Sequence, residues 1–380
     1  MPARCWPVAV VAAAALLFAP LASAQDKPKV ESETINFETA DGVELQGALY
    51  KPLMLGKDKG QVVMAAAVDK APVVILLHPY LGDSKSKDWD GLAVALARAG
   101  FHVLRFDFRG HGSSTKVKSH FWDRQKYPEN SEVFSAKAKQ KPLPVKLELA
   151  DLKAKPGYFP MLVNDIMAAR VALDKLNDDG TLNTSSVYLI GAGDAATLGM
   201  MYMTAEWTRP QKPTEAQAKF ITNLPINGLE PRDSAGRDIA GAIWLSPSKP
   251  SIASLVSDKA MQEWVTAFPD MRENNAVLSL YGDGDTAGKK MSNFITDEVL
   301  VAKPKKGGRL GDLKFTMAKP IEKNKNAGVK LLSDTATEAE ILKYLGMLES
   351  DRKSVARLPN RNLYDPPYIQ PAQFKVDVKK

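Results

Sequence analysis

The clearest hydrophobic run in the chain is Pro72-Val73-Val74-Ile75-Leu76-Leu77. An unbroken apolar run of this length fits a strand covered on both faces in a parallel sheet. A polar loop follows, then a helical pattern over residues 89–98 that stops at Gly100. Residues 101–106 form the next predicted strand. Strand, helix and strand in this order make a βαβ unit with a right-handed crossover. The same reading predicts helices over 161–176, 195–207, 259–267, 289–301 and 338–355, and strands over 186–190, 239–245, 277–281 and 313–318. Upstream, residues 33–37 and 43–50 read as two strands joined by a turn at Asp41-Gly42. Residues 51–70 read as a loop.

Two stretches break this rhythm. Residues 116–160 are rich in lysine, proline and polar side chains, with Phe121-Trp122, Tyr127 and Tyr158-Phe159 set among them. They read as a lid-like insertion over the sheet. A second irregular insertion spans 208–238, and the proline-bearing end, 357–380, reads as an extended tail packed on the surface. The domain proper is expected over 33–356, after a disordered linker at 25–32.

Composition adds a compartment. The chain has 380 residues, 44% hydrophobic and 25% charged, enough for one large α/β core. Its start differs from the rest: Arg4, an apolar run over 8–21, then Ala22-Ser23-Ala24. That is the layout of a secretory signal peptide over 1–24, with an uncleaved anchor as the alternative. The run is too short for a comfortable membrane span, so no stable span is expected after cleavage. The expectation is an exported chain, periplasmic or secreted. The sole cysteine, Cys5, lies in this segment. The mature chain then has no thiol, and its stability must come from packing rather than disulfides. The formal charge of +7 comes from scattered lysines. No aromatic-basic pattern points to nucleic acid; a weak attraction to acidic envelope polymers is the most this charge implies.

Two local sequences carry a resemblance. The first is Leu104-Arg-Phe-Asp107-Phe-Arg109-Gly110-His111-Gly112-Ser113-Ser114; the second is Leu77-His78-Pro79-Tyr80-Leu81-Gly82 with Trp89 behind it. They resemble the D-x-R-G-H-G-x-S turn after the fourth strand and the L-H-G-x-x-G…W loop after the third strand of α/β-hydrolases, with Pro79 replacing a glycine. The resemblance implies an α/β-hydrolase fold, a doubly wound and mostly parallel sheet with an antiparallel N-terminal hairpin. It places His78 and Tyr80 in the loop that lends an oxyanion N–H in active members.

The family also demands a nucleophile elbow, G-x-S-x-G, between the next strand and helix. Here the chain reads Gly191-Ala192-Gly193-Asp194-Ala195-Ala196, so the serine position holds Gly193. Glycine suits the strained turn but has no side chain with which to attack. Asp285, in Gly282-Asp283-Gly284-Asp285, matches the triad acid, and Ala327 falls where the resemblance puts the histidine. All four histidines, His78, His102, His111 and His120, precede the elbow. Serine chemistry needs a base within hydrogen-bond reach of the hydroxyl, and no late loop of this chain supplies one.

Each candidate has a second reading. Asp194 is either a carboxylate nucleophile, as in dehalogenases and epoxide hydrolases of this fold, or the cap of the helix that starts there. Asp285 is a retained acid or a turn residue. His78 and His111 are structural in such turns, or metal ligands if carboxylates converge on them. Ser246, at a strand end, is an alternative nucleophile without a visible base. No metal or cofactor is expected. Three functions follow: a non-catalytic envelope protein binding a small or acyl ligand or a partner, a hydrolase using Asp194 with Asp285 as helper, or an assembly protein using the insertion and the tail.

Overall fold

The computed structural model describes residues 29–53, 55–58, 61–64, 71–209, 234–250, 256–300, 315–352, 355–358 and 366–374. The expected signal peptide, half of the linker and most of the second insertion lie outside them. The strands are β1 (Ser32–Glu38), β2 (Glu44–Tyr50), β3 (Leu55–Asp58), β4 (Gln61–Met64), β5 (Pro72–Leu77), β6 (His102–Phe106), β7 (Asn183–Ala192), β8 (Ile239–Leu245), β9 (Ala276–Gly282) and β10 (Met317–Ile321). All but β3 and β4 join one eight-stranded sheet in the order β1-β2-β6-β5-β7-β8-β9-β10. The β1–β2 and β2–β6 pairings are antiparallel, and every pairing from β6 to β10 is parallel. This is the expected doubly wound sheet with an antiparallel hairpin at its start.

The unbroken apolar runs follow from burial on two faces. In β5, Val73, Ile75 and Leu77 belong to one core and Val74 and Leu76 to the other; β7 and β8 alternate in the same way. Helices α1 (Lys87–Arg98) and α6 (Thr335–Arg352) cover one face through Trp89, Leu92, Ile341 and Leu345. Helices α2 (Val163–Asp178), α3 (Ala195–Thr208) and α4 (Asp258–Ala267) cover the other. Every residue of α3 from Ala195 to Trp207 is buried, as its nearly all-round apolar sequence requires. Gly199 lets this helix close on β8: a Cβ there would lie 2.3 Å from the Trp244 ring.

The lid-like insertion folds onto the body as short helical turns at Ser119–Trp122, Pro128–Val133, Ser135–Ala138, Leu149–Ala154 and Pro156–Leu162. Its aromatic residues Phe121, Phe134, Tyr158 and Phe159 are buried. A polar cluster holds it down. Fully buried Arg109 donates to Asp165 from its backbone N–H and from Nε, at 2.8 and 2.7 Å, and to Asp41 at 2.7 and 3.1 Å. It also donates to the Tyr158 hydroxyl at 2.9 Å, while Asn130 donates to Asp41 at 2.9 Å. The tail returns as well. Asn164 exchanges two hydrogen bonds with the Ile369 backbone, at 2.6 and 3.1 Å, and Trp264 Nε1 donates to the Phe374 carbonyl at 3.0 Å.

Several boundaries differ from expectation for physical reasons. Part of the 51–70 loop is an antiparallel ribbon, β3 with β4, whose strands are too short to show a period. The last strand is Met317–Ile321 rather than 313–318, because Phe315 has φ +71° and cannot extend the strand. Pro320 is tolerated within β10 because this is the edge of the sheet. Helix α5 (Thr286–Asn293) starts ahead of the expected 289–301 because Asp285 caps it, and it continues as π-helical turns over Phe294–Leu300. Helix α6 starts at Thr335 rather than 338, where the Asp334 carboxylate accepts from the Ala336 N–H.

Two glycines test the packing. Gly199→Ala must displace Trp244, and it is expected to cost about 1–3 kcal/mol. Gly346→Ala in α6, where a new Cβ meets nothing within 4 Å, should stabilise by roughly 0.5–1 kcal/mol. Urea unfolding midpoints of the two variants check both signs.

Candidate functional site

Strand β5 leads to β6 on one side, and the chain then crosses back to β7 on the other side of β5. The loops leaving the carboxyl ends of β5 and β7 therefore diverge, and ligand crevices form at such switch points. The β5 loop carries His78, Pro79 and Tyr80; the β7 turn carries Gly193 and Asp194. Gly193 has φ +60°, the left-handed conformation that glycine adopts at little cost. Its N–H donates to Leu245 O at 3.0 Å, and its carbonyl accepts from Ser248 N at 3.0 Å. A Cβ on Gly193 would meet nothing nearer than Ser248 Oγ at 3.6 Å and Pro79 carbons at 3.8 Å. The turn has room for a side chain and lacks one.

Asp194 takes an unexpected part. Its Oδ1 accepts the Tyr80 N–H at 2.9 Å, joining residues 114 apart in sequence. The neighbouring N–H groups of Asp194 and Ala195 also favour the charged carboxylate, without a capping hydrogen bond. In hydrolases with this elbow, the oxyanion hole is made by the N–H after the nucleophile and an N–H of the loop after the third strand. Here those donors are the Asp194 and Tyr80 amides, and the Tyr80 donor is taken by a carboxylate of the chain itself. Burial pushes the Asp194 carboxyl above the ordinary carboxylate range, with these N–H groups and His111 pulling the other way. Asp194 thus stands at the start of α3, but contrary to the capping reading its side chain accepts no capping hydrogen bond there; its carboxylate reaches across to the β5 loop instead.

Tyr80 is fixed on every side. Its carbonyl faces His111 Nε2, its hydroxyl donates to Leu152 O at 2.9 Å, and its ring meets Phe159 edge-on with centroids 5.4 Å apart. His111 Nδ1 lies 2.9 Å from Arg109 O. His78 Nε2 accepts the Phe108 N–H at 3.1 Å, so its proton is on Nδ1, which donates to Pro79 O at 2.7 Å. Burial, then the neighbouring His111, lower the His78 imidazole to about 3. Both rings brace the main chain. Of the other histidines, His102 lies within β6 and His120 packs under Gly42 in the hairpin turn.

The remaining triad positions stand on the loops after β9 and β10. Asp285 Oδ1 accepts the Gly288 N–H at 2.9 Å and caps α5. Ala327 is exposed and starts the turn Gly328–Ser333. Ser246 has φ +43° and a buried Oγ without a hydrogen-bond partner. It packs beside Asp285: a Cβ at Gly288 would be 3.2 Å from Ser246 Cβ and 2.2 Å from Asp285 Oδ2. Phe159 belongs to the aromatic set of the insertion, whereas Ser248 and Leu152 were not legible as site residues. Ser248 carried a faint signal, since it follows a strand end. Among the described residues no group of three or more His, Cys, Asp or Glu is placed to hold a metal, and no helix is long and apolar enough to cross a membrane.

Residues 72–179 match the family model of the alpha/beta hydrolase fold. With the sheet order above, the chain has the alpha/beta hydrolase fold. No curated protein matches it. Among solved structures, an esterase of Pyrococcus furiosus is 13% identical with a TM-score of 0.43, over 84% of this chain and 91% of its own. Dienelactone hydrolase from Anabaena variabilis is 9% identical with a TM-score of 0.45, over 85% and 98%. An esterase of Rhizomucor miehei is 11% identical with a TM-score of 0.44, over 86% of each chain.

The neutral, braced state of His78 gives a pH prediction. Its folded-state value, about 3, lies below the roughly 6.5 of an unfolded histidine. Below about pH 6.5 the unfolded chain takes up a proton that the folded chain refuses, so stability falls as pH falls, approaching about 1.4 kcal/mol per unit. The stability difference between the native chain and His78→Gln, from urea unfolding, should shrink from pH 7.5 to pH 5. A constant difference would contradict the assignment.

Proposed function

We propose that this is an exported, non-catalytic member of the superfamily that binds a small ligand or a partner in the cell envelope. One observation carries the reading: the Asp194 carboxylate holds the Tyr80 N–H, in the place where a reacting oxyanion would have to form. A substrate carbonyl drawn to that hole would meet a resident negative charge rather than free donors. Two features of the sequence support it. Gly193 offers no nucleophile, and no histidine follows residue 120.

The competing reading, Asp194 as nucleophile, is less well supported. A carboxylate that attacks must present a free oxygen to the substrate, and the ester it forms must be cleaved by activated water. Here Oδ1 is taken by Tyr80, and the ring nitrogens of His78 and His111 all face main-chain groups. The filling of the space behind Tyr80 by Leu152 and Phe159 also argues against a long acyl ligand on that side.

Purified protein should show neither fluorophosphonate labelling nor turnover of short-chain esters, and Gly193→Ser should restore no turnover, because it adds a hydroxyl without a base. Robust hydrolysis by the native chain, lost in Asp194→Asn, would replace this reading with the carboxylate nucleophile. For export, the intact mass of protein recovered from the envelope or medium should correspond to a chain beginning at Gln25. A mass retaining residues 1–24 would count against it.

A further inference from the structure

We propose that the outer edge of β1 is an interface between two copies of this chain, whose β1 strands pair antiparallel and join the two sheets into one. The proposal goes beyond the non-catalytic reading and does not depend on it.

The backbone of this edge is set up for pairing. β1 stands at one end of the strand order, and among the described residues no further strand covers it. Its seven residues pair with β2 without a register shift. The Lys51 N–H donates to Glu31 O at 2.9 Å, and the Thr39 N–H donates to Val43 O at 3.0 Å. In an antiparallel ladder, residues bonded to one neighbour alternate with residues turned the other way. The odd-numbered residues of β1 therefore face β2, and Ser32, Thr34, Asn36 and Glu38 turn their N–H and C=O groups outward. The opposite edge of the sheet is different. There β10 carries Lys319 and Pro320, both of which discourage the addition of a strand. β1 reads Ser-Glu-Thr-Ile-Asn-Phe-Glu and has neither lysine nor proline.

A groove beside the edge can receive side chains. Its volume is about 750 Å³, and Ile35 and Phe37 face Ala168, Val171, Ala172 and Leu176 of α2 across it. Successive side chains of a strand point to opposite faces, so every second side chain of a strand laid against β1 is directed to this groove.

The second copy is the strand that fits. An antiparallel copy centred on Ile35 sets Thr34 opposite Asn36 and Ser32 opposite Glu38. That register uses every outward N–H and C=O of both strands, and it is symmetric about a twofold axis, as an isologous contact must be. Ile35 then faces its own equivalent at a close, non-hydrogen-bonded position, with each Phe37 diagonal to it on the groove side. Charge permits the approach. Glu33 is held by Lys51 at 3.2 Å, and Glu38 is held by Lys118. Across the copies Glu33 stands opposite Phe37 and Glu38 opposite Ser32, so no acid faces an acid, the arrangement that would weaken the pairing.

The test uses the mature chain, which from Gln25 onward has no cysteine. Sedimentation equilibrium should give the mass of a dimer. Thr34→Pro removes an outward N–H that the single chain does not use, a position where an edge strand tolerates proline. It should keep the native circular dichroism and weaken dimerisation about tenfold or more. Thr34→Val keeps the N–H and should remain dimeric. Cysteine variants test the register without relying on the proline. Ile35→Cys should form an intermolecular disulfide on mild oxidation, because its Cα lies about 4.5 Å from its equivalent. Glu33→Cys should not, because four positions, roughly 13 Å, separate it from its equivalent. A native chain that stays monomeric, a dimer indifferent to Thr34→Pro, or equal cross-linking at positions 33 and 35 would overturn the proposal. A native chain that is monomeric alone but forms a complex with a different protein, lost in Thr34→Pro, would assign the edge to a foreign strand and overturn it as well.

Discussion

One guanidinium, out of reach of water, ties four distant parts of the chain together. Arg109 stands in the turn after β6, Asp41 in the β1–β2 hairpin, Asp165 at the start of α2, and Tyr158 in the insertion. Removing one partner of a buried pair leaves an uncompensated charge, typically at a cost of about 3–5 kcal/mol, so these four segments hold their positions together or not at all. Two carboxylates share one cation, and they share it unequally. Burial pushes both up, but Arg109 and the hydroxyl and amide donors around Asp41 more than offset this and hold it below the ordinary range. Asp165, for which burial outweighs Arg109, is pushed up to about 6.

The hole at Asp194 depends on that cluster through a short relay. The Arg109 carbonyl faces His111 Nδ1, His111 Nε2 faces the Tyr80 carbonyl, and the Tyr80 N–H bonds to Asp194. The insertion completes the arrangement by presenting Leu152 O to the Tyr80 hydroxyl and Phe159 to its ring. The same main-chain architecture that positions an oxyanion donor in a catalytic fold here positions a donor for the chain's own carboxylate. The elbow carries Gly193, and the carboxylates of Asp194 and Asp285 accept from main-chain N–H groups.

Asp285 shows how one motif position can serve the chain's own structure. Its spacing after β9 matches a triad acid, yet its carboxylate bonds the Gly288 N–H and supports the first turn of a helix. Its neighbour in space, across Gly288, is Ser246, which the linear motif does not pair with it. A carboxylate at a helix start is stabilised by the local amides whether or not an imidazole is near.

The linear pattern of residues was enough for the sheet, because burial on two faces forces unbroken apolar strands such as 72–77 and because glycines mark the turns between elements. It was enough, too, to show that no imidazole comes from the chain after residue 120 and that Gly193 has no side chain in any conformation. The ends of the elements were less legible where a cap or an edge position decided them, as at Asp285 and Pro320. Tertiary structure alone decided what fills the hole. Hydrophobic periodicity is local, but the Tyr80–Asp194 bond spans 114 positions and the Arg109–Asp41 pair 68, and such polar partners meet only once strand order has brought their loops to the same end of the sheet.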